Sequence, residues 1–136
     1  MNVLIKQARI VAPHSGHHGR LADIFIEDGI IKNIDDSIVA ENAEIVAAEN
    51  LHVSTGWMDV FADFADPGFE QNESMATGAA AAAAGGFTDV MLIPNTNPVV
   101  SAKSQVEYIL KKAEGLAVNI YPIGSVTQNA KGTNLA

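Results

Sequence analysis

Two hydrophobic periods divide the chain. Up to about residue 55, apolar and polar residues alternate at the spacing of two that suits a half-buried strand: residues 3 to 11 read VLIKQARIV and residues 22 to 34 read ADIFIEDGIIKNI. Asp28-Gly29 splits the second stretch and is a dipeptide favoured in two-residue hairpins, so the two stretches predict a small antiparallel sheet. The link APHSGHHG is rich in turn formers, and AEIVAAENLHVS (43 to 54) offers two further short strands before Thr55-Gly56 breaks the pattern.

From there the period changes. WMDVF (57 to 61) predicts a short buried strand, followed after Asp66-Pro67-Gly68 by an alanine-rich helix from about Asn72 to Ala84. Gly85-Gly86 stands where helices end. Its six consecutive alanines, 79 to 84, suit close packing of a helix on a sheet rather than a linker. FTDVMLI (87 to 93) is the next strand, stopped by Pro94. Ser101 to Glu114 predicts a second helix, with Ser101 as its cap, Val106, Ile109, Leu110 and Ala113 on one face, and Lys111 and Lys112 at the end where cations suit the dipole. Leu116 to Ile123 predicts a third strand, and GSVTQNAKGTNLA resembles the approach to a third helix. Strand and helix in alternation, with apolar strands, imply parallel βαβ units and right-handed crossovers. The expected organisation is a β subdomain over 1 to 55 and an α/β part over 56 to 136. A complete (β/α)8 barrel needs on the order of 250 residues, so the 136 residues are expected to be the N-terminal part of something larger.

Composition narrows the function classes. A charge of -8, and no Lys or Arg between Lys32 and Lys103, exclude a phosphate-binding surface built on clustered cations, so nucleic acid is not an expected partner. The absence of cysteine excludes a disulfide scaffold and cysteine-based zinc sites. No stretch approaches the roughly 18 apolar residues of a membrane helix, and Lys6 and Arg9 interrupt the N-terminal apolar run, so no membrane association is expected and a cytoplasmic location is.

In parallel α/β folds chemistry sits at the carboxyl ends of strands, which directs attention to DVFADFADPGFE and IPNTNP. Three segments, GWMDVFADFADPGFE (56 to 70), AAAAAAGGFTDV (79 to 90) and LIPNTNPVV (92 to 100), occur in an order that resembles the dihydroorotases and related cyclic amidohydrolases. The resemblance implies the first part of an amidohydrolase-type TIM (β/α)8 barrel preceded by a small β-sandwich subdomain. In that family the first barrel strand ends in His-x-His, which binds one of two zinc ions, with an arginine two residues later for the substrate carboxylate. Here those positions are Phe61, Asp63 and Ala65. Only Asn95 matches a substrate-binding residue of the family. Phe61 has no donor atom, so no zinc or other cofactor is expected in this chain, and no catalytic residue.

The other chemistry-bearing residues have plainer readings. His14, His17 and His18 are expected to be exposed loop histidines, and His52 structural. Asp59, Asp63, Asp66, Glu70 and Glu73 form an acidic strip without any base, expected to be solvated carboxylates rather than a calcium loop. Asn95, Thr96 and Asn97 lie between two prolines and serve equally well as turn formers or ligands. The resemblance implies a dihydroorotase-like protein of pyrimidine biosynthesis, whose family reaction hydrolyses dihydroorotate to N-carbamoyl-aspartate. The losses at Phe61, Asp63 and Ala65 fit an inactive partner of aspartate transcarbamoylase. Self-association is also expected, since an open parallel sheet leaves edges exposed. The alternative is an active dihydroorotase or hydantoinase-type amidohydrolase with a reduced metal site.

Overall fold

The computed structural model describes residues 1 to 136, which form two compact units, Met1–Thr55 and Gly56–Ala136. In the first unit the alternating stretches form β1 (Asn2–Val11), β2 (Leu21–Glu27) and β3 (Ile30–Asp35), paired antiparallel in the order β3-β2-β1. Asp28 and Gly29 turn between β2 and β3 with φ of 49° and 78°. Positive φ at both central positions matches the twist of the flanking strands, and this conformation suits Asp-Gly. Two short strands, β4 (Glu44–Val46) and β5 (His52–Ser54), pair with β1 in parallel, β4 along Val3 to Ile5 and β5 along Arg9 to Val11. The sheet is therefore mixed. Ile10, Ala22 and Ile24 centre its core, with Ile5, Ile26, Ile34 and Val53 packed around them.

A bulge between Ile5 and Ala8 interrupts β1, with Gln7 at φ 48°. The buried carboxylate of Asp23 fills it, accepting hydrogen bonds from Gln7 N and Nε2 at 2.8 and 3.0 Å, from Ile38 N at 2.9 Å, and from the Lys6 ammonium. Burial alone would push this carboxyl up. The four donors outweigh it and hold Asp23 far below the usual carboxylate range.

The second unit alternates β6 (Trp57–Ala62), α1 (Met75–Ala84), β7 (Phe87–Leu92), α2 (Lys103–Lys112) and β8 (Asn119–Pro122), with all three strands parallel in the order β6-β7-β8. It is a mixed α/β arrangement in which α1 packs on β7 and α2 on β8. Val90, Leu92 and Ile120 from the strands meet Met75, Ala79 and Ile109 from the helices in one core. Burial of a side chain such as Ile109 contributes roughly 1.5–3 kcal/mol. Phe64 reaches this core by lying against Gly78, where an added Cβ would fall 2.5 Å from its ring. Any larger residue at 78 would displace that ring or the helix.

Several boundaries differ from those expected. α1 begins at Met75, because Ser74 Oγ accepts from Thr77 N while Thr77 Oγ1 accepts from Ser74 N, closing a capping box. Ser101 does not cap α2. Ala102 holds that position, with its carbonyl accepting from Gln105 N and Val106 N and no side-chain cap. Leu110 is half exposed, so the buried face of α2 is carried by Ile109, with Val106 and Ala113 partly covered. β8 starts at Asn119 rather than Leu116. In place of a third helix the last residues form a short 3-10 turn, Gln128–Ala130, beside a bridge from Thr127 to Leu135. No helix is long and apolar enough to cross a membrane.

Candidate functional site

The carboxyl ends of β6 and β7 meet through backbone as well as side chains. Ile93 N donates to Ala62 O at 3.0 Å, and further out Asn97 N donates to Pro67 O at 2.9 Å. The pairing passes from Asp59–Val90 to Ala62–Leu92, so one extra residue is accommodated on β6. Asp59 Oδ1 accepts the Phe61 amide freed by this bulge, at 2.9 Å. Bulges re-aim side chains near sites. Here the Phe61 ring is left 75% exposed, on the wall of a cavity of about 400 Å³ that it shares with Ile93, Pro94, Asn95, Val99 and Ile123.

Asp63 follows the strand, and both of its oxygens are engaged. Oδ1 accepts from Ala65 N at 2.9 Å, across a turn in which Ala65 has φ 58°, and Oδ2 accepts from Asn95 Nδ2 at 2.9 Å. The structure thus brings Phe61, Asp63 and Asn95 to one place, with Ala65 adjacent. The Asn95 amide is directed at Asp63, leaving its carbonyl oxygen as the free polar atom. Zinc in the family set would need imidazoles at 61 and 63. A phenyl ring and a carboxylate already holding two N–H groups do not fit it, and nowhere do three His, Asp or Glu side chains gather around a common point.

The acidic strip is not a uniform solvated cluster, and it does have a base. Asp66 is buried, its side chain fully covered. It accepts Met75 N at 2.9 Å at the start of α1, and Lys112 Nζ lies 2.9 Å from both of its oxygens. Lys112 also donates to Tyr108 Oη at 2.9 Å. The Tyr108 contact first, and the Asp66 carboxylate second, raise the Lys112 ammonium well above the ordinary lysine value. Glu73 accepts from Thr77 Oγ1, while Glu70 is exposed. Thr96 is buried, donating to Pro98 O at 2.8 Å, so the Asn95–Asn97 segment is at least partly a turn held by its own side chains.

A second polar cluster lies on β7 and β8 and has no counterpart in the sequence reading. Asp89 Oδ1 accepts from Asn119 Nδ2 at 3.0 Å and Tyr121 Oη at 3.1 Å, while Oδ2 accepts from Thr88 Oγ1 at 2.7 Å. Thr88 and Asn119 lead in holding Asp89 below the usual carboxylate range, and the same carboxylate pushes the Tyr121 phenol up. The 89/119 and 91/121 partners in the parallel register were the only available signal, and register is invisible before strands are paired.

The four histidines all belong to the first unit. His18 Nδ1 accepts from Ala12 N at 3.2 Å, His17 Nδ1 contacts Arg20 at 3.1 Å, and His52 Nδ1 contacts Asn50 O at 2.7 Å. His14, His18 and His52 are exposed and His17 partly so.

Residues 52–136 match a family model described as dihydro-orotase-like. Over its whole length the chain is similar to a dihydroorotase of Geobacter sulfurreducens, at 45% identity, and to one of Citrifermentans bemidjiense, at 41%. It spans about a third of these curated relatives, 32% of each. Among solved structures it resembles a D-hydantoinase at TM-score 0.72 and 27% identity, covering 95% of this chain and 29% of that one. An L-hydantoinase (dihydropyrimidinase) from Arthrobacter aurescens gives TM-score 0.73 at 22% identity over 92% of this chain and 28% of that one. A crystal structure of a dihydroorotase gives 0.63 at 17% over 94% and 32%.

Proposed function

The chain belongs to the dihydroorotase-like family, and on that premise we propose that the complete protein is a non-catalytic dihydroorotase-like component of pyrimidine biosynthesis. In this reading residues 56 to 136 are the first three strands and two helices of a (β/α)8 barrel, and residues 1 to 55 contribute to an N-terminal β-sandwich. The carrying observation is the engaged Asp63–Asn95 pair beside an exposed Phe61. Zinc in an active amidohydrolase generates hydroxide at neutral pH. The first-strand positions here supply no such ligand pair, and Ala65 offers no cation to a substrate carboxylate. What this chain's residues do instead is close the strand ends on themselves: Asp63 ties the β6 loop to the β7 loop through Asn95, and Asp59 satisfies the bulge.

A family member that has lost hydrolysis retains a shape, and the partner we propose for that shape is aspartate transcarbamoylase in the cytoplasm, with association of the protein with itself as well. The test is turnover of dihydroorotate by the purified complete protein in added zinc. Absence of turnover, with co-purification of the transcarbamoylase, is the expected result. Rates of about 1 per second or more would overturn it and favour an active amidohydrolase with a reduced metal site.

A further inference from the structure

We infer that the loop between β1 and β2, residues 12 to 20, is a pH-sensitive device that two neutral imidazoles hold closed. The inference goes beyond the reading above and rests on residues of the first unit alone.

The loop carries His14, His17 and His18. Its backbone supplies a frame: Ser15 N donates to Ala12 O at 2.8 Å, His18 N to Ser15 O at 3.1 Å, and Gly19 N to Ile10 O at 2.8 Å. Two side-chain contacts tighten that frame. Ala12 N donates to His18 Nδ1 at 3.2 Å, and Arg20 Nη1 lies 3.1 Å from His17 Nδ1. Which ring nitrogen carries the proton follows from its partner, and a backbone N–H and a guanidinium can only donate. Nδ1 is therefore the acceptor in both rings, each ring is neutral, and its single proton sits on Nε2.

A protonated imidazole donates from both nitrogens. His18 in that form would set an N–H against the N–H of Ala12, and His17 would set one against a guanidinium that is already cationic. Both contacts fail on acidification through the range of about pH 8 to 5 in which histidine changes charge. The charged groups around the loop do not offset this. Arg9 of β1 donates from Nη1 to Gly19 O at 3.0 Å, and Arg20 Nη2 occupies Asp36, beyond β3, at 2.9 Å. His52 of β5, paired with Arg9, supplies an internal contrast. Its Nδ1 faces Asn50 O at 2.7 Å, a carbonyl that can only accept, so a second proton on this ring breaks nothing.

The test is a titration of the complete protein from about pH 8 to 5. Imidazole nitrogen spectra give each tautomer, and amide shifts with exchange protection follow Ala12. His17 and His18 should carry their proton on Nε2 at the alkaline end and His52 on Nδ1. The Ala12 amide should move with the titration of His18, its protection falling about fivefold, the worth of one ordinary hydrogen bond. His18→Gln keeps an acceptor for Ala12 N that does not titrate, so it should hold the Ala12 amide constant across the range. His17→Gln should leave the Ala12 response in place and remove the shift of the Arg20 guanidinium. A proton on Nδ1 of His17 or His18 at the alkaline end overturns the inference, and this readout needs no variant to fold. So does an Ala12 amide that ignores pH, or one that responds equally in His18→Gln.

Discussion

Replacing Lys112 by Met would leave the Asp66 carboxylate with Met75 N as its remaining donor. The Asp66 side chain is fully covered, whereas that of Lys112 is 38% exposed. Removing one partner of a fully buried pair costs about 3–5 kcal/mol, because the other charge is stranded. Water reaching the lysine side of this pair screens it, so the expected cost falls to about 2 kcal/mol. Denaturant unfolding of the complete protein would measure it, within a double-mutant cycle with Asp66→Asn. Both single variants should destabilise, and the double variant should cost about 1–2 kcal/mol less than their sum. Salt sharpens the test, since a surface pair fades by 1 M salt and a pair anchored on a dry carboxylate does not. The sign with pH is fixed as well. The folded pKa of Lys112 is raised above the ordinary 10.5, so its contribution is fully present below that value and is lost as pH climbs through the raised one. Additivity of the two substitutions within about 0.3–0.5 kcal/mol, or loss of the effect in high salt, would refute the assignment.

Asp23 should give the opposite pH dependence: its folded pKa lies below the ordinary 3.8, so its stabilisation is present above that value and fades as pH falls beneath it, and Asp23→Asn should flatten the acid limb of an unfolding titration. In a Tyr108→Phe background, tyrosinate absorbance should report Tyr121 ionising above the ordinary 10.0, and adding Asp89→Asn should bring that midpoint down; an unmoved midpoint would rule out the contact. The double change Phe61→His and Asp63→His should raise bound zinc in the complete protein, measured by metal analysis; unchanged uptake would mean that the remaining family ligands are missing too.

Elements whose signal is local were legible in the sequence. The Asp28-Gly29 hairpin, the positions of strands β6 and β7 and the alanine helix ending at Gly85 follow from turn chemistry, apolar runs and propensity, each contained in a few residues; β6 is nevertheless not the buried strand expected, since Trp57, Met58, Val60 and Phe61 are exposed and only Ala62 is buried. Non-local pairing was not legible. The parallel docking of β4 and β5 on β1 depends on which edge is free once β2 and β3 have taken the other. The bulges before Ala8 and before Ala62 depend on an aspartate, Asp23 or Asp59, reaching a spare amide. At the strand ends, motif positions identified Phe61, Asp63 and Asn95, but the bond from Asn95 to Asp63 spans 32 residues. Asp66 is buried rather than solvated because its partner lies 46 residues on, in a helix whose last-turn lysines suit the dipole without any such partner.

The contact of Phe64 with Gly78 carries a consequence for descent. A lineage cannot enlarge residue 78 while keeping a phenyl ring at 64, and it cannot shrink residue 64 without opening a hole against α1. Neither change is tolerable as a first step, so the two positions should alter together or not at all. The exposed alanines at 76, 80 and 84 face no such constraint and are free to drift. Aligned relatives should therefore show covariation between 64 and 78 on a helix whose outer positions vary independently.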